Sequence, residues 1–331
     1  MAANKTTPVP YEIAVLIPCF NEEATVGKVV TDFKAALPDA VIYVYDNNST
    51  DRTVSAAKNA GAVVRRESLQ GKGNVLRRMF ADIEAEIYVM VDGDDTYHAP
   101  AAPIMIAHLI DEQLDMVNGA RITDIKDAYR FGHKAGNRIL SNMVAYLFGE
   151  RIKDVLSGFR VFSRRYVKSF PALSSGFEIE TELTVHALEL RMKVAELDTP
   201  YKNRPEGSVS KLSTVRDGYN ILRTIVTLIK IERPLPFFTA SSAVLAAISI
   251  ILAVPVFIEY LRTGLVARFP TAILCSALML LAFLGFYAGL ILDTITTGRR
   301  EVKRFAYLSV PIFQIRDYAC GSAEREDFET H

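Results

Sequence analysis

The stretch EIYVMVDGDD, Glu86–Asp95, decides the fold. An apolar run too short for a helix reads as a buried strand, and it stops at a glycine-containing turn with three carboxylates, Asp92, Asp94 and Asp95. Working upstream, EIAVLIPCF (Glu12–Phe20), AVIYVYD (Ala40–Asp46) and AVVRRE (Ala62–Glu67) read as three further strands. Helical patterns separate them: about Glu22 to Leu37, STDRTVSAAKNAG (Ser49–Gly61) with Ser49 or Thr50 as N-cap and Gly61 as stop, and GKGNVLRRMFADIE (Gly71–Glu84). This βαβ rhythm predicts an α/β domain whose mostly parallel sheet is covered by helices. Ligands of such sheets bind beyond the carboxyl ends of the strands, where Asp46 and Asp92–Asp95 fall.

Composition narrows the class. The 331 residues carry 38 basic and 38 acidic side chains, so no overall positive field exists to hold nucleic acid. At 50% hydrophobic residues and a mean hydropathy of +0.17, a normal globular part must be joined to something greasier. Three distant cysteines, Cys19, Cys275 and Cys320, form neither a disulfide framework nor a zinc pattern. The opening residues, MAANKTTPVPYE, lack the apolar core of a secretory signal.

The greasy part is explicit. Pro234–Ile258 and Phe269–Leu292 contain no charged residue, and each exceeds the ~20 residues needed to cross ~30 Å of hydrocarbon. Between them EYLRTGLVAR (Glu259–Arg268) suffices only for a hairpin, and Pro255 is a candidate kink. Lys230, Arg233, Arg299, Arg300, Lys303 and Arg304 flank the spans, against Arg262 and Arg268 in the hairpin. That bias predicts a multi-pass protein of the cell membrane with both termini cytoplasmic. Ahead of the first span, Arg216, Asn220, Arg223, Thr227 and Lys230 draw one polar stripe along an otherwise aliphatic helix. It would lie in the membrane interface or pack on the globular domain. The expected order is a cytosolic catalytic domain (1–215), an amphipathic interfacial helix (216–233), two transmembrane helices (234–293) and a cytosolic tail (294–331).

Neither a P-loop nor a GxGxxG fingerprint is present, which counts against an ATPase and a dinucleotide enzyme. Clustered carboxylates at a strand end instead suit Mg²⁺ or Mn²⁺ bridging diphosphate oxygens. No HxxH-type spacing offers a histidine metal site; only His98 and His133 lie near the segments of interest.

Taken in order, IPCFNEE (Ile17–Glu23), YDNNSTDRT (Tyr45–Thr53), GKG (Gly71–Gly73), VDGDD (Val91–Asp95) and DVLSGFRVF (Asp154–Phe162) resemble a family 2 glycosyltransferase of the A-type, Rossmann-like nucleotide-sugar fold. More narrowly the chain is similar to polyprenyl-phosphate glycosyltransferases, including dolichyl-phosphate mannose synthases, over residues 12 to about 235 and loosely over the hairpin. The resemblance implies nucleotide-sugar contacts from Pro18, Phe20, Asn21, Glu22, Asp46, Lys72, Asp92 and Gly93. It puts Asp92 near the ribose and diphosphate and Asp94 on the metal, and it leaves the DGDDTYH residue after the metal site unassigned. It also implies that Arg121, Arg204, Ser210 and Lys211 contact donor or acceptor phosphates, whose charge the chemistry must neutralise. Asp154 would lie near the acceptor, as base or as orienting group. Arg160 is open to two readings, phosphate contact or an ion pair with Asp154, with the ion pair preferred. Glu180 and Glu182 in GFEIETEL (Gly176–Leu183) are read as helix-start carboxylates favoured by the macrodipole.

The expected activity is inverting transfer of one sugar from a nucleotide-sugar, a UDP-hexose rather than GDP-mannose, to an undecaprenyl or dolichyl phosphate at the cytoplasmic membrane face. Two alternatives stand beside it: a glycolipid synthase acting on a lipid hydroxyl, and a non-catalytic membrane assembly subunit. A processive polysaccharide synthase is disfavoured, because two spans supply no channel and the chain has no Trp for a QxxRW segment. A homo-oligomer is left open.

Overall fold

The computed structural model describes residues 11–122, 131–149, 152–176, 178–202, 223 and 226–312, with backbone only for 131–136. Seven strands form one sheet: β1 (Ile13–Cys19), β2 (Val41–Asp46), β3 (Val63–Arg66), β4 (Ile87–Met90), β5 (Met116–Ile122), β6 (Arg160–Ser163) and β7 (Val194–Pro200), in the order β3-β2-β1-β4-β6-β5-β7. All run parallel except β6, which lies antiparallel between β4 and β5. The carboxyl ends of β1, β2, β4, β5 and β7 therefore share one edge with the start of β6.

Strand period explains the two-sided core. Val15 and Ile17 of β1 face α1 (Val26–Ala36) and α4 (Ala101–Asp111), while Ala14 and Leu16 face α3 (Lys72–Asp82), α6 (Arg164–Ser169) and α7 (Ile179–Glu189). In α1 the buried Val26, Val29, Val30 and Phe33 recur at helical spacing. α2 (Thr53–Asn59) starts later than the expected Ser49 or Thr50. Asp51 takes the Thr53 amide at 3.0 Å, while Ser49 and Thr50 are drawn to Asn21 of the β1 loop. α5 (Phe131–Phe148) precedes the DVLSGFR segment.

Two long helices follow, α8 (Pro234–Thr263) and α9 (Phe269–Leu308), both apolar enough to span a bilayer. Their 30 and 40 residues correspond to about 45 and 60 Å. Only 11% and 17% of their most apolar windows are buried by protein, which suits a lipid-covered surface and not a soluble core. α8 continues through Pro255 and stops at Gly264, whose φ of 68° closes the helix in the left-handed conformation. Small residues bring the pair close: a Cβ on Gly289 would lie 2.8 Å from Phe238 Cβ, and Ser249 donates to the Cys275 carbonyl at 2.8 Å. Half of the proposed interfacial helix lies outside the described residues; 226–232 is helical.

Beyond the apolar run α9 continues as one helix into what the sequence suggests is a tail, and it docks on the globular domain. Lys303 and Arg300 reach the fully buried Glu189 carboxylate at the end of α7 at 2.6 and 3.1 Å. Arg299 and Arg300 hold Glu232 at 3.1 and 3.3 Å, and the Tyr307 hydroxyl donates to Asp115 at 3.0 Å. Glu189→Ala removes the buried carboxylate that Lys303 and Arg300 share, and should cost about 3 kcal/mol. Thermal unfolding in detergent checks it; an unchanged midpoint would show that this dock carries no stability.

Candidate active site

The strand ends supply the site because each apolar strand terminates in a polar loop on the same edge. The β1 and β2 loops are stitched together: Asn21 N–H donates to Ser49 Oγ at 2.9 Å, Thr50 N–H to Asn21 Oδ1 at 2.8 Å, and Glu22 N–H to Thr53 Oγ1 at 2.8 Å. Asn21 holds φ 52° and Asn48 φ 66°, conformations asparagine tolerates better than most residues. Pro18 stands beside Tyr45 and Cys19 beside Asp46 in the parallel ladder, and Phe20 follows half-buried. Asp46 is buried and accepts the Ser49 amide at 3.3 Å.

The DGD turn packs directly on this loop pair. Thr25 Oγ1 donates to the Gly93 carbonyl at 2.7 Å, and a Cβ on Gly93 would lie 2.7 Å from Cys19 Sγ, so only glycine fits. Asp94 is buried, with Oδ1 accepting from Thr96 Oγ1 at 2.6 Å and Thr96 N–H at 3.3 Å. Asp95, at φ 55°, turns outward to Lys28 at 2.8 Å. Asp92 meets Lys72 Nζ at 2.5 Å, and its other oxygen lies where a Cβ on Gly158 would collide. Gly158 N–H donates to the Tyr97 hydroxyl at 2.8 Å, tying the SGFR loop to the DGD turn. Burial pushes the Tyr97 hydroxyl well above its ordinary range, so it stays protonated.

On the other flank, Arg121 at the end of β5 clamps Asp154. Nε–Oδ2 is 2.7 Å, the second nitrogen reaches Oδ1 at 2.8 Å, and the Arg121 amide donates at 3.2 Å. Asn137 of α5 adds a hydrogen bond at 3.0 Å. Burial works to raise the Asp154 pKa, but the Arg121 contacts outweigh it and hold the carboxyl below the usual carboxylate range. Asn118 and Glu196 brace the backbone beneath: Asn118 Nδ2 donates to the Asp154 carbonyl at 2.9 Å and to Glu196 at 2.8 Å. Arg121 also lies over the Tyr201 ring, 5.5 Å from its centroid.

One expectation is corrected. Arg160 neither pairs with Asp154 nor faces a phosphate. It is fully buried and donates to the carbonyls of Ser157 (3.0 Å), Val155 (2.6 Å) and Glu180 (3.1 Å) and to Thr184 Oγ1 (2.9 Å). A strand residue at the start of β6 points into the core, and the guanidinium is satisfied there by loop carbonyls. Glu180 lies in the first turn of α7, as expected, and is buried against Lys72 at 2.6 Å. Glu182 does behave as a terminal carboxylate, accepting from the Leu173 and Ser174 amides at 2.8 and 2.7 Å. Arg204, Ser210 and Lys211 lie outside the described residues. Tyr97, Asn118, Asn137, Glu196 and Tyr201 were given no role from the sequence; of these Tyr97, within DGDDTYH, and Asn118, opening the NGAR segment that ends at Arg121, stood beside residues already singled out.

Among the described residues no three His, Cys, Asp or Glu side chains converge as a metal cage. Mg²⁺ does not require one, since it binds through one or two carboxylates and takes its remaining oxygens from water and phosphate. The donor set around the DGD turn fits that description. With Asp92 compensated by Lys72, Asp94 is the stronger candidate.

Residues 14–170 match the family model Glycosyl transferase family 2. Glycosyltransferase AglJ of Haloferax volcanii is 33% identical over 304 residues, 91% of this chain and 99% of that one. A dolichyl-phosphate hexose transferase of the same organism is 27% identical over 222 residues, 67% of this chain and 96% of that one. Among solved structures, glucosyl-3-phosphoglycerate synthase from Mycobacterium tuberculosis, in complex with Mn²⁺, UDP-glucose and phosphoglyceric acid, superposes with a TM-score of 0.54 at 24% identity, covering 67% of this chain and 79% of that one. With the sheet order, the strand-end carboxylates and these matches in agreement, the chain belongs to glycosyl transferase family 2 and is a glycosyltransferase.

Proposed function

We propose that the enzyme transfers one sugar, with inversion, from a nucleoside-diphosphate donor to a polyprenyl phosphate at the cytoplasmic face of a membrane. The observation that carries the acceptor class is the Asp154–Arg121 clamp. An alcohol acceptor needs a general base with a pKa near the working pH. Asp154 has a depressed pKa and both its oxygens bonded to one guanidinium, so it is a poor base. A phosphate monoester, with a second pKa near ~6, is already largely a dianion at neutral pH and needs none. The two bilayer-length helices beside the domain suit a lipid-borne acceptor, as does the likeness to a dolichyl-phosphate hexose transferase.

In this reading Pro18, Phe20, Asn21, Glu22 and Asp46 receive the nucleoside, and Asp92, Gly93 and Lys72 lie along the ribose and diphosphate. Arg121 serves as the cation nearest the acceptor phosphate, oriented by Asp154. Arg204, Ser210 and Lys211 are kept as phosphate contacts on the strength of their sequence context alone. Mg²⁺ or Mn²⁺ on Asp94, with Asp92 adjoining, would supply charge neutralisation for the leaving diphosphate. The Mn²⁺ and UDP-glucose of the mycobacterial complex favour that metal class and a UDP-hexose donor.

Purified protein in detergent, given a panel of UDP- and GDP-sugars, should glycosylate polyprenyl phosphate and leave the matching polyprenol untouched. Efficient transfer to the polyprenol, with none to its phosphate, would replace this reading with the glycolipid-synthase one. Reporter fusions at residue 264 and at the C-terminus should report opposite sides of the membrane, because the basic residues concentrate outside the hairpin. Both on one side would overturn the proposed topology.

A further inference from the structure

α7 carries a carboxylate into the donor end of the sheet that the reading above does not use. Glu180 Oε1 meets Lys72 Nζ at 2.6 Å, and the same ammonium meets Asp92 Oδ1 at 2.5 Å. The Lys72 side chain is only 8% exposed and the Glu180 side chain 11%. The backbones around them are closed on each other. Gly73 N–H donates to the Ser175 carbonyl at 3.1 Å. A Cβ on Gly71 or Gly73 would collide with the carbonyls of Ser175 or Ser174, so the GKG turn sits directly on the segment leading into α7. Below, Arg160 donates to the Glu180 carbonyl and to Thr184, fixing the first turn of that helix.

A lysine ammonium on its four-carbon stem is mobile, and one carboxylate does not fix it. Two carboxylates on the same ammonium do. Burial opposes the charge on Lys72, but Asp92 and Glu180 outweigh that and hold it protonated. Without Glu180 the ammonium would be free to leave Asp92 for a diphosphate or for water.

We propose that Glu180 is a positioning residue of the donor site, tethering Lys72 so that its ammonium stays seated on Asp92 of the DGD turn. This rests on the donor reading given above, in which Asp92 and Lys72 line the ribose and diphosphate. Glu180 then acts only through Lys72 and touches no substrate.

The test is calorimetric binding of UDP with Mn²⁺, and of GDP with Mn²⁺, to the full chain in detergent, paired with donor and acceptor KM. Glu180→Gln should weaken nucleotide binding and raise donor KM by about tenfold, with acceptor KM unchanged. Glu180→Asp, which keeps the charge, should recover part of that loss. Glu182→Gln, two residues along the helix and on its other side, should lower the unfolding midpoint without moving donor KM. In a Lys72→Met background, Glu180→Gln should add nothing further. Wild-type binding in Glu180→Gln, or a full additional loss in the Lys72→Met background, would overturn the tether while leaving the donor reading intact. If wild type bound neither nucleotide, the donor reading would fall and the tether with it. Should Glu180→Gln not fold, the Glu180→Asp and Lys72→Met comparisons carry the same decision.

Discussion

Asp94→Asn should lower turnover by about 10³-fold, equivalent to about 4 kcal/mol of transition-state stabilisation. The substitution keeps the shape of the side chain and an oxygen able to accept from Thr96, whose hydroxyl and amide now hold Oδ1 at 2.6 and 3.3 Å. The turn should therefore stay folded, and the loss reports charge. Removing divalent metal with EDTA should reproduce the loss in wild type and add little in the mutant, because both act on one interaction. Asp92→Asn should differ in kind: it frees Lys72 from one of two partners, so donor KM should rise more than kcat falls. Full turnover of Asp94→Asn, or of wild type in EDTA, would remove the metal assignment.

The turn around Asp94 also shows what a sequence can and cannot reveal. Apolar runs ending in acids carry their own signal, since a strand buried on both faces must be continuously apolar and its polar end must leave the core. That logic locates β1, β2 and β4 and the edge on which they end. The same reasoning finds α8 and α9, because their length and lack of charge are local properties. Pairing is not local. Arg160 and Arg121 look alike in sequence, each two residues after a glycine, yet one is turned into the core at the start of β6 and the other, near the end of β5, faces Asp154. Only the antiparallel insertion of β6 between β4 and β5 separates them. Glu180 and Glu182 pose the same problem on α7. They are two residues apart, about 200° around the helix, so one meets Lys72 and the other caps a loop. Nor does the chain's charge pattern announce that the basic run after the second span is a helix docked on Glu189 and Glu232; those residues read equally well as a cytoplasmic topology signal.

The activity should rise with pH through the second ionisation of the acceptor phosphate, near ~6, and level off by neutral pH. Asp154 contributes no limb of its own to that profile. Its carboxyl is held below the usual range because the Arg121 contacts and the Asn137 hydrogen bond outweigh the cost of burial. A group with a depressed folded pKa contributes stability above its unfolded value, near ~4, and loses it only as pH falls through the lower folded value. Across pH 5 to 8 Asp154 thus stays ionised in both states, and neither stability nor rate should change on its account. Asp154→Asn should cost about 10²-fold in turnover, because Arg121 loses the bidentate partner that aims it, while the shape of the pH profile stays that of wild type. An alcohol acceptor requires the opposite result: a limb set by the carboxylate and abolished in Asp154→Asn. Parallel pH–rate profiles of wild type and mutant, with polyprenyl phosphate and polyprenol as acceptors, separate the two. A limb that disappears with Asp154 would make this carboxylate the base despite its clamp, and would return the acceptor to a lipid hydroxyl.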